Sequence, residues 1–242
     1  MANTLALNPN TYLVSLSGNL IETTVTDKAC VADAWVCNIR SMYNGQQMIV
    51  GLDSEWRPNT TSTLINRTAV LQLCIETKCL ILQLFYLDYI PQSLKSFLQD
   101  PNVTFVGVEV ERDAAKLRDE YGLQCARIAD VRELTMIRWP LLFHRKPGLK
   151  DIAYQVLGLS MPKPMHVSRS DWQSSVLDCS QIEYAWTKLP FAPLPGLFPV
   201  VFTDRLIAQS LGAVLLITKK VLTFLGLWGE EFCFYFGEAY PG

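Results

Sequence analysis

The sequence predicts an α/β fold: a mixed sheet in which an antiparallel three-strand meander is followed by parallel strands, with helices on its flanks. Three observations carry that expectation. The apolar run Met48 to Trp56 is followed, after a polar and turn-rich segment, by two more β-prone runs, Ala69 to Ile75 and Cys79 to Leu84, with only a short polar break between them. Runs that close together in sequence pair antiparallel, whereas strands joined by a crossover helix run parallel, and helical and strand-like patterns alternate beyond Leu84. Half of the 242 residues are hydrophobic, enough to bury one sizeable core.

In chain order, Tyr12, Val14 and Leu16 alternate with small or polar residues and suggest a strand running to a turn at Gly18-Asn19. Thr26 and Asp27 read as a helix start, and Val31, Ala34, Trp35, Ile39 and Met42 recur at helical spacing through Ala29 to Tyr43. The meander strands follow. Pro91 to Gln99 is expected to be a helix with proline near its start, Val103 to Val110 a strand, and Glu111 to Tyr121 a helix stopped by Gly122. Cys125 to Val131 is expected as a short strand; Leu149 to Leu157, stopped by Gly158, and Cys179 to Leu189 are amphipathic helices. This order is the ribonuclease-H-like arrangement.

Near Leu189 the composition changes. Pro190, Pro193, Pro195 and Pro199 crowd together, and Leu189 to Thr203 carries no charge. Leu206 to Thr218 and Val221 to Gly229 are apolar but divided by Lys219-Lys220, so neither reaches the roughly 20 residues that span a bilayer. The expected organisation is an N-terminal extension over 1–10, a domain over 11–188 and an atypical tail over 189–242.

A net charge of -2 and a pI near 5.7 exclude a basic nucleic-acid coat, so any polyanion must be met by a local basic patch or by bound cations. Seven cysteines without Cys-x-x-Cys spacing, and only His144 and His166 besides, argue against a zinc site or a disulfide framework. Residues 1–10 lack a basic stretch followed by an apolar core, which leads to the expectation of an intracellular, reduced protein.

The candidate chemistry starts at Asp53-Ser54-Glu55. Residues two apart in a strand share a face, so Asp53 and Glu55 project together while Ser54 points away. Two like charges held side by side ask for a cation between them, and hard oxygen donors suit Mg2+ or Mn2+. Taken alone, an Asp-x-Glu after an apolar run also reads as a solvated strand end, and Asp113 as an acid placed by the dipole at a helix N-terminus.

Together these residues resemble a family. Val50-Gly51-Leu52-Asp53-Ser54-Glu55-Trp56-Arg57-Pro58 is similar to the first motif of the DEDDy-type 3'-5' exonucleases, the ribonuclease D-like group that includes the plant Werner-syndrome-exonuclease-like proteins. The strand Ala69 to Cys74 is of the family's type. Phe105 to Leu117 resembles the second motif, with the third carboxylate at Asp113 and Glu109 where a glycine is usual. Glu109 and Glu111 read as surface charges, His144 and His166 as loop residues, and Gly148 to Ala153 and Ser170-Asp171-Trp172 as packing or substrate-groove landmarks. Gln181-Ile182-Glu183-Tyr184-Ala185 begins the third motif, a tyrosine followed one helical turn later by aspartate, but Lys188 stands where the aspartate belongs.

The resemblance implies a nuclease that works with two Mg2+ or Mn2+ ions, with Asp53, Glu55 and Asp113 as metal ligands and Tyr184 positioning the attacking water. It implies nucleoside 5'-monophosphate products, single-stranded or 3'-recessed nucleic acid as partner, and a place in the nucleus or cytoplasm. Replacing the fourth carboxylate by Lys188 shifts the site by two units of charge. An ammonium about 4 Å from a divalent ion is opposed by at most about 8 kcal/mol at an effective dielectric near 20. An impaired exonuclease and a catalytically inactive nucleic-acid- or partner-binding protein of the same fold are both compatible with this. Thr203 to Gly212 resembles the family's continuation after its last aspartate, which makes Asp204 a candidate displaced ligand.

Overall fold

The computed structural model describes residues 3–16, 19–57, 67–158, 160–161 and 164–187. They form β1 (Asn3–Asn8), β2 (Thr11–Leu16), β3 (Asn19–Thr26), α1 (Ala29–Met42), β4 (Met48–Trp56), β5 (Thr68–Ile75), β6 (Lys78–Leu82), α2 (Gln92–Leu98), β7 (Val103–Gly107), α3 (Val110–Tyr121), β8 (Ile128–Asp130), α4 (Val131–Arg138), α5 (Leu149–Leu157), α6 (Met165–Ser168) and α7 (Cys179–Thr187). The strands make one eight-stranded sheet in the order β1-β2-β3-β6-β5-β4-β7-β8.

The meander is present as expected: β4 pairs antiparallel with β5, and β5 with β6. Parallel β7 and β8 extend one side of it. On the other side the sheet is larger than the sequence suggests. β3 pairs parallel with β6, and the β1-β2-β3 ribbon continues from it, so residues 3–8, expected to precede the domain, are paired into the sheet. The predicted helix start at Thr26 and Asp27 moves to Ala29, whose N–H donates to Asp88 Oδ1 at 2.8 Å; a carboxylate from a distant loop takes the capping role.

Because the side chains of β4 and β5 alternate, the core lies on both faces of the sheet. Leu52, Leu71 and Leu73 pack with Trp35 of α1, Phe97 of α2 and Val110 and Leu117 of α3 on one face. Val70 and Cys74 pack with Trp172, Ile182, Tyr184 and Ala185 on the other. Cys74 and Cys79, directly opposite each other across the β5-β6 hairpin and fully buried, are joined by a disulfide. The expectation of reduced thiols is therefore corrected at this pair, which hairpin register brings together; Cys30, Cys37, Cys125 and Cys179 are free.

Gly107 ends β7 where a Cβ would stand 2.5 Å from the Leu52 carbonyl oxygen and 3.2 Å from Val110 Cβ. Only glycine lets the start of α3 come this close to β4, and that approach sets the position of Asp113. The expected tail over 189–242, together with Lys188 and Asp204, lies outside the described residues.

Candidate active site

The end of β4 carries the two acids. Asp53 sits opposite Gln72 and Glu55 opposite Val70 in the β4-β5 ladder, which places both on the face that Tyr184 covers. Glu55 is 5% exposed and Asp53 half-buried. Ser54, on the other face, is buried and donates to Asp113 Oδ1 at 2.6 Å. Asp113, itself 5% exposed in the first turn of α3, is thereby brought to the residue lying between the two strand acids. Tyr184 is buried on α7, its ring centroid 5.9 Å from that of Trp172.

The donor chemistry of these residues fits a hard divalent ion, since carboxylates are hard oxygen ligands. Their arrangement fits in part. Asp53 and Glu55 share a face, Asp113 is held by Ser54, and among the described residues no three His, Cys, Asp or Glu side chains are gathered as a ready cation cage.

Sequence reasoning missed Gln72. It is fully buried, and neither amide atom meets a hydrogen-bond partner among the described residues. Such a group is disfavoured by about 1–3 kcal/mol unless something satisfies it, and it stands directly across the ladder from Asp53. The available signal was a lone amide in an otherwise apolar strand.

A second cluster holds the beginning of α3. Glu109, where the family usually has glycine, adopts φ 63°, in the left-handed region that disfavours side chains. Its N–H donates to Asp130 Oδ2 at 3.0 Å and its carboxylate accepts from Arg132 at 2.9 Å. Arg132 also grips Asp130 through its guanidinium, at 2.6 Å and 3.1 Å, and through its own N–H at 2.8 Å. Burial opposes ionisation of Asp130, but these donors outweigh it and hold the carboxyl below its usual value; Asp130 in turn raises the Arg132 guanidinium. Glu109 is thus a surface charge, as expected, but one that Arg132 engages. His144 is an exposed loop residue, while His166 falls in the short helix α6 rather than in a loop.

Sheet order and the two-faced core define a ribonuclease-H-like protein, with paired acids at a strand end. The sequence pattern described as 3'-5' exonuclease matches residues 24–187, more than half of the chain, and the chain belongs to that family. It is similar to a 3'-5' exonuclease of Arabidopsis thaliana, 29% identical over 140 residues that cover 57% of this chain and 48% of that one. An exonuclease 3'-5' domain-containing protein 2 of Drosophila melanogaster is 30% identical over 152 residues, 62% of this chain and 25% of that one. The chain therefore spans less than half the length of these curated relatives. Among solved structures, Escherichia coli RNase D shares the fold with a TM-score of 0.56 at 19% identity, over 72% of this chain and 42% of that one. The RRP6 catalytic core of Trypanosoma brucei does so with 0.58 at 15%, over 78% and 48%.

Proposed function

We propose that this chain removes nucleotides from the 3' end of a nucleic-acid strand by metal-assisted hydrolysis, releasing nucleoside 5'-monophosphates. The observation that supports this reading is the alternation on β4, which sets Asp53 and Glu55 on one face beneath Tyr184 with Asp113 one hydrogen bond away through Ser54. Divalent ions, when bound, would lower the pKa of a water and neutralise charge on the scissile phosphate. Asp53 and Glu55 would hold them, with Asp113 joining after exchanging its bond to Ser54. The burial of Glu55 and Asp113 excludes competing solvent and strengthens their attraction for a cation. Tyr184, positioned by Trp172, would orient the attacking water through its hydroxyl.

Lys188 and the engagement of Asp113 by Ser54 favour a second reading, a protein that keeps the fold and binds nucleic acid without hydrolysing it. One experiment separates the two: a 3'-labelled single strand digested with Mn2+ by the wild type, Asp53→Asn and Lys188→Asp. The hydrolytic reading expects slow trimming by the wild type, none by Asp53→Asn and faster trimming by Lys188→Asp. Equal rates for wild type and Lys188→Asp would remove position 188 from the site, and equal Mn2+ affinity of wild type and Asp53→Asn by calorimetry would overturn the ligand assignment.

A further inference from the structure

An acidic chain that handles a polyanion needs local positive charge, and the structure gathers three cations from two places in the sequence, Arg67 and α3. Trp56, the last residue of β4 and the neighbour of Glu55, has the Arg112 guanidinium 5.5 Å and the Lys116 ammonium 5.4 Å from its ring centroid. Arg112 and Lys116 are one turn apart on α3, hence on one stripe of the helix. The same stripe continues to Glu120, which accepts the Thr68 N–H at 2.6 Å, and beside it Tyr121, whose hydroxyl donates to the Thr68 carbonyl. Thr68 lies opposite Trp56 in the β4-β5 ladder, and the preceding Arg67 stacks its guanidinium 4.5 Å from the Tyr121 ring centroid. A row of three cations on two aromatic platforms thus runs across the end of β4 and β5.

We propose that this row, Arg112 and Lys116 on Trp56 and Arg67 on Tyr121, is the track on which the sugar-phosphate backbone of a single strand lies as it enters the site. The inference rests on the nucleic-acid reading above and extends it to the surface that takes the strand. Arg112 and Arg67 are exposed, and each guanidinium carbon lies within cation–ring distance of an aromatic side chain. A guanidinium held against a ring yet reached by solvent is restrained and keeps N–H donors for phosphate. Lys116 shares its charge with Glu120 at 2.6 Å, so the row keeps two units of net positive charge. Of the other charges on α3, Asp119 is paired with Arg118, and Glu111 is exposed in the first turn. The track begins one residue beyond Glu55 and one residue before Asp113. A backbone held there reaches the site from the α3 side, where Asp113 stands, across the sheet from Asp53 and Glu55, and no base is read, since phosphate contacts position a strand and carry no sequence information.

The test measures binding of fluorescein-labelled oligo(dT) and oligo(rU) to metal-free full chain by anisotropy, as a function of salt, for wild type, Arg67→Ala/Arg112→Ala, Trp56→Ala and the α3 control Arg118→Ala. Near-UV circular dichroism checks that each variant is folded. Removing two phosphate contacts is expected to flatten the slope of log affinity against log salt by about 1.4 for a single strand. Trp56→Ala is expected to weaken binding about five-fold by releasing two cation–ring contacts worth about 0.5 kcal/mol each. Arg118→Ala is expected to keep the wild-type slope. Equal slopes on dT and rU assign the contact to the shared phosphodiester backbone, and a slope loss on one alone would show a sugar-dependent track. A folded double variant with an unchanged slope overturns the proposal, as does a wild type that binds neither strand. Hydrolysis by the wild type of the p-nitrophenyl ester of thymidine 5'-monophosphate with Mn2+ is scored separately. Hydrolysis with no slope change sinks the track and leaves the exonuclease reading standing, whereas a slope change with no hydrolysis does the reverse.

Discussion

Replacing Asp130 tests the cluster that fixes the second motif. The side chain is 1% exposed and receives Glu109 N–H, the Arg132 N–H in the first turn of α4, and the Arg132 guanidinium. Asp130→Ala removes a helix cap worth about 1 kcal/mol and leaves the part-buried Glu109 N–H without its acceptor. It also leaves the Arg132 guanidinium with only the largely exposed Glu109 carboxylate, and breaking a fully buried pair costs about 3–5 kcal/mol. These losses overlap, and Arg132 keeps 15% exposure through which water can reach it, so we expect about 3 kcal/mol in total. Asp130→Asn keeps an acceptor and the shape and should lose about half of that. The assay is urea unfolding followed by far-UV circular dichroism from pH 7 to pH 3. Because the folded-state pKa of Asp130 is depressed, its contribution is fully present above the unfolded value of about 3.9 and is lost as pH falls through the folded one. The gap between wild type and Asp130→Asn should therefore close at acid pH. A gap that stays constant across that range, or an Asp130→Ala variant within 1 kcal/mol of wild type, would refute the reasoning.

At Glu109, glycine relieves a left-handed backbone that costs a side chain about 1–2 kcal/mol but gives up a largely exposed ion pair and adds chain entropy, so Glu109→Gly should be nearly neutral while the β-branched Glu109→Val should destabilise by about 2 kcal/mol or more. Equal urea midpoints for the two variants would show that backbone strain is not what distinguishes this position. The Cys74–Cys79 pair closes a short loop and should contribute about 2 kcal/mol that dithiothreitol removes; thiol titration of unreduced, denatured protein checks the premise, since all seven cysteines titrating would mean that the pair is open.

What was legible in the sequence was local. The meander, the acids ending β4 and the stop at Gly122, which takes φ 65° at the α3 C-terminus, each follow from neighbours within a few residues. The β1-β2-β3 ribbon was mostly missed because its attachment is the parallel β3-β6 pairing, whose partners stand far apart in sequence and leave no local pattern. Helix α4 was missed because it is only eight residues long, and it is started by Asp130, whose capping role reads equally well as the end of a strand. At the site, the shared face of Asp53 and Glu55 was legible from strand alternation, while Tyr184 came only with the family resemblance. The bond between Ser54 and Asp113 was not, because alternation says only that Ser54 points away from the acids and not what waits on the other side of the sheet.

The helix that carries Tyr184 bears on how a weak or absent activity is to be understood. Asp178 and Gln181 exchange hydrogen bonds at 2.8 Å and 3.0 Å, a reciprocal cap that fixes where α7 begins. Gln181 also donates to Ser170 Oγ at 2.9 Å, the Trp172 ring packs at a tilt against that of Tyr184, and Thr4 of β1 donates to Glu183 at 2.9 Å. Register, rotation and depth of the helix are thereby set from its first turn and from both flanks, upstream of position 188. A substitution at Lys188 leaves every one of these contacts in place. If Lys188→Asp restores trimming, the gain is therefore one of charge at the proposed metal ligands, worth two units, and not a re-seating of Tyr184; a gain that required a second change in α7 would place the fault in the helix instead.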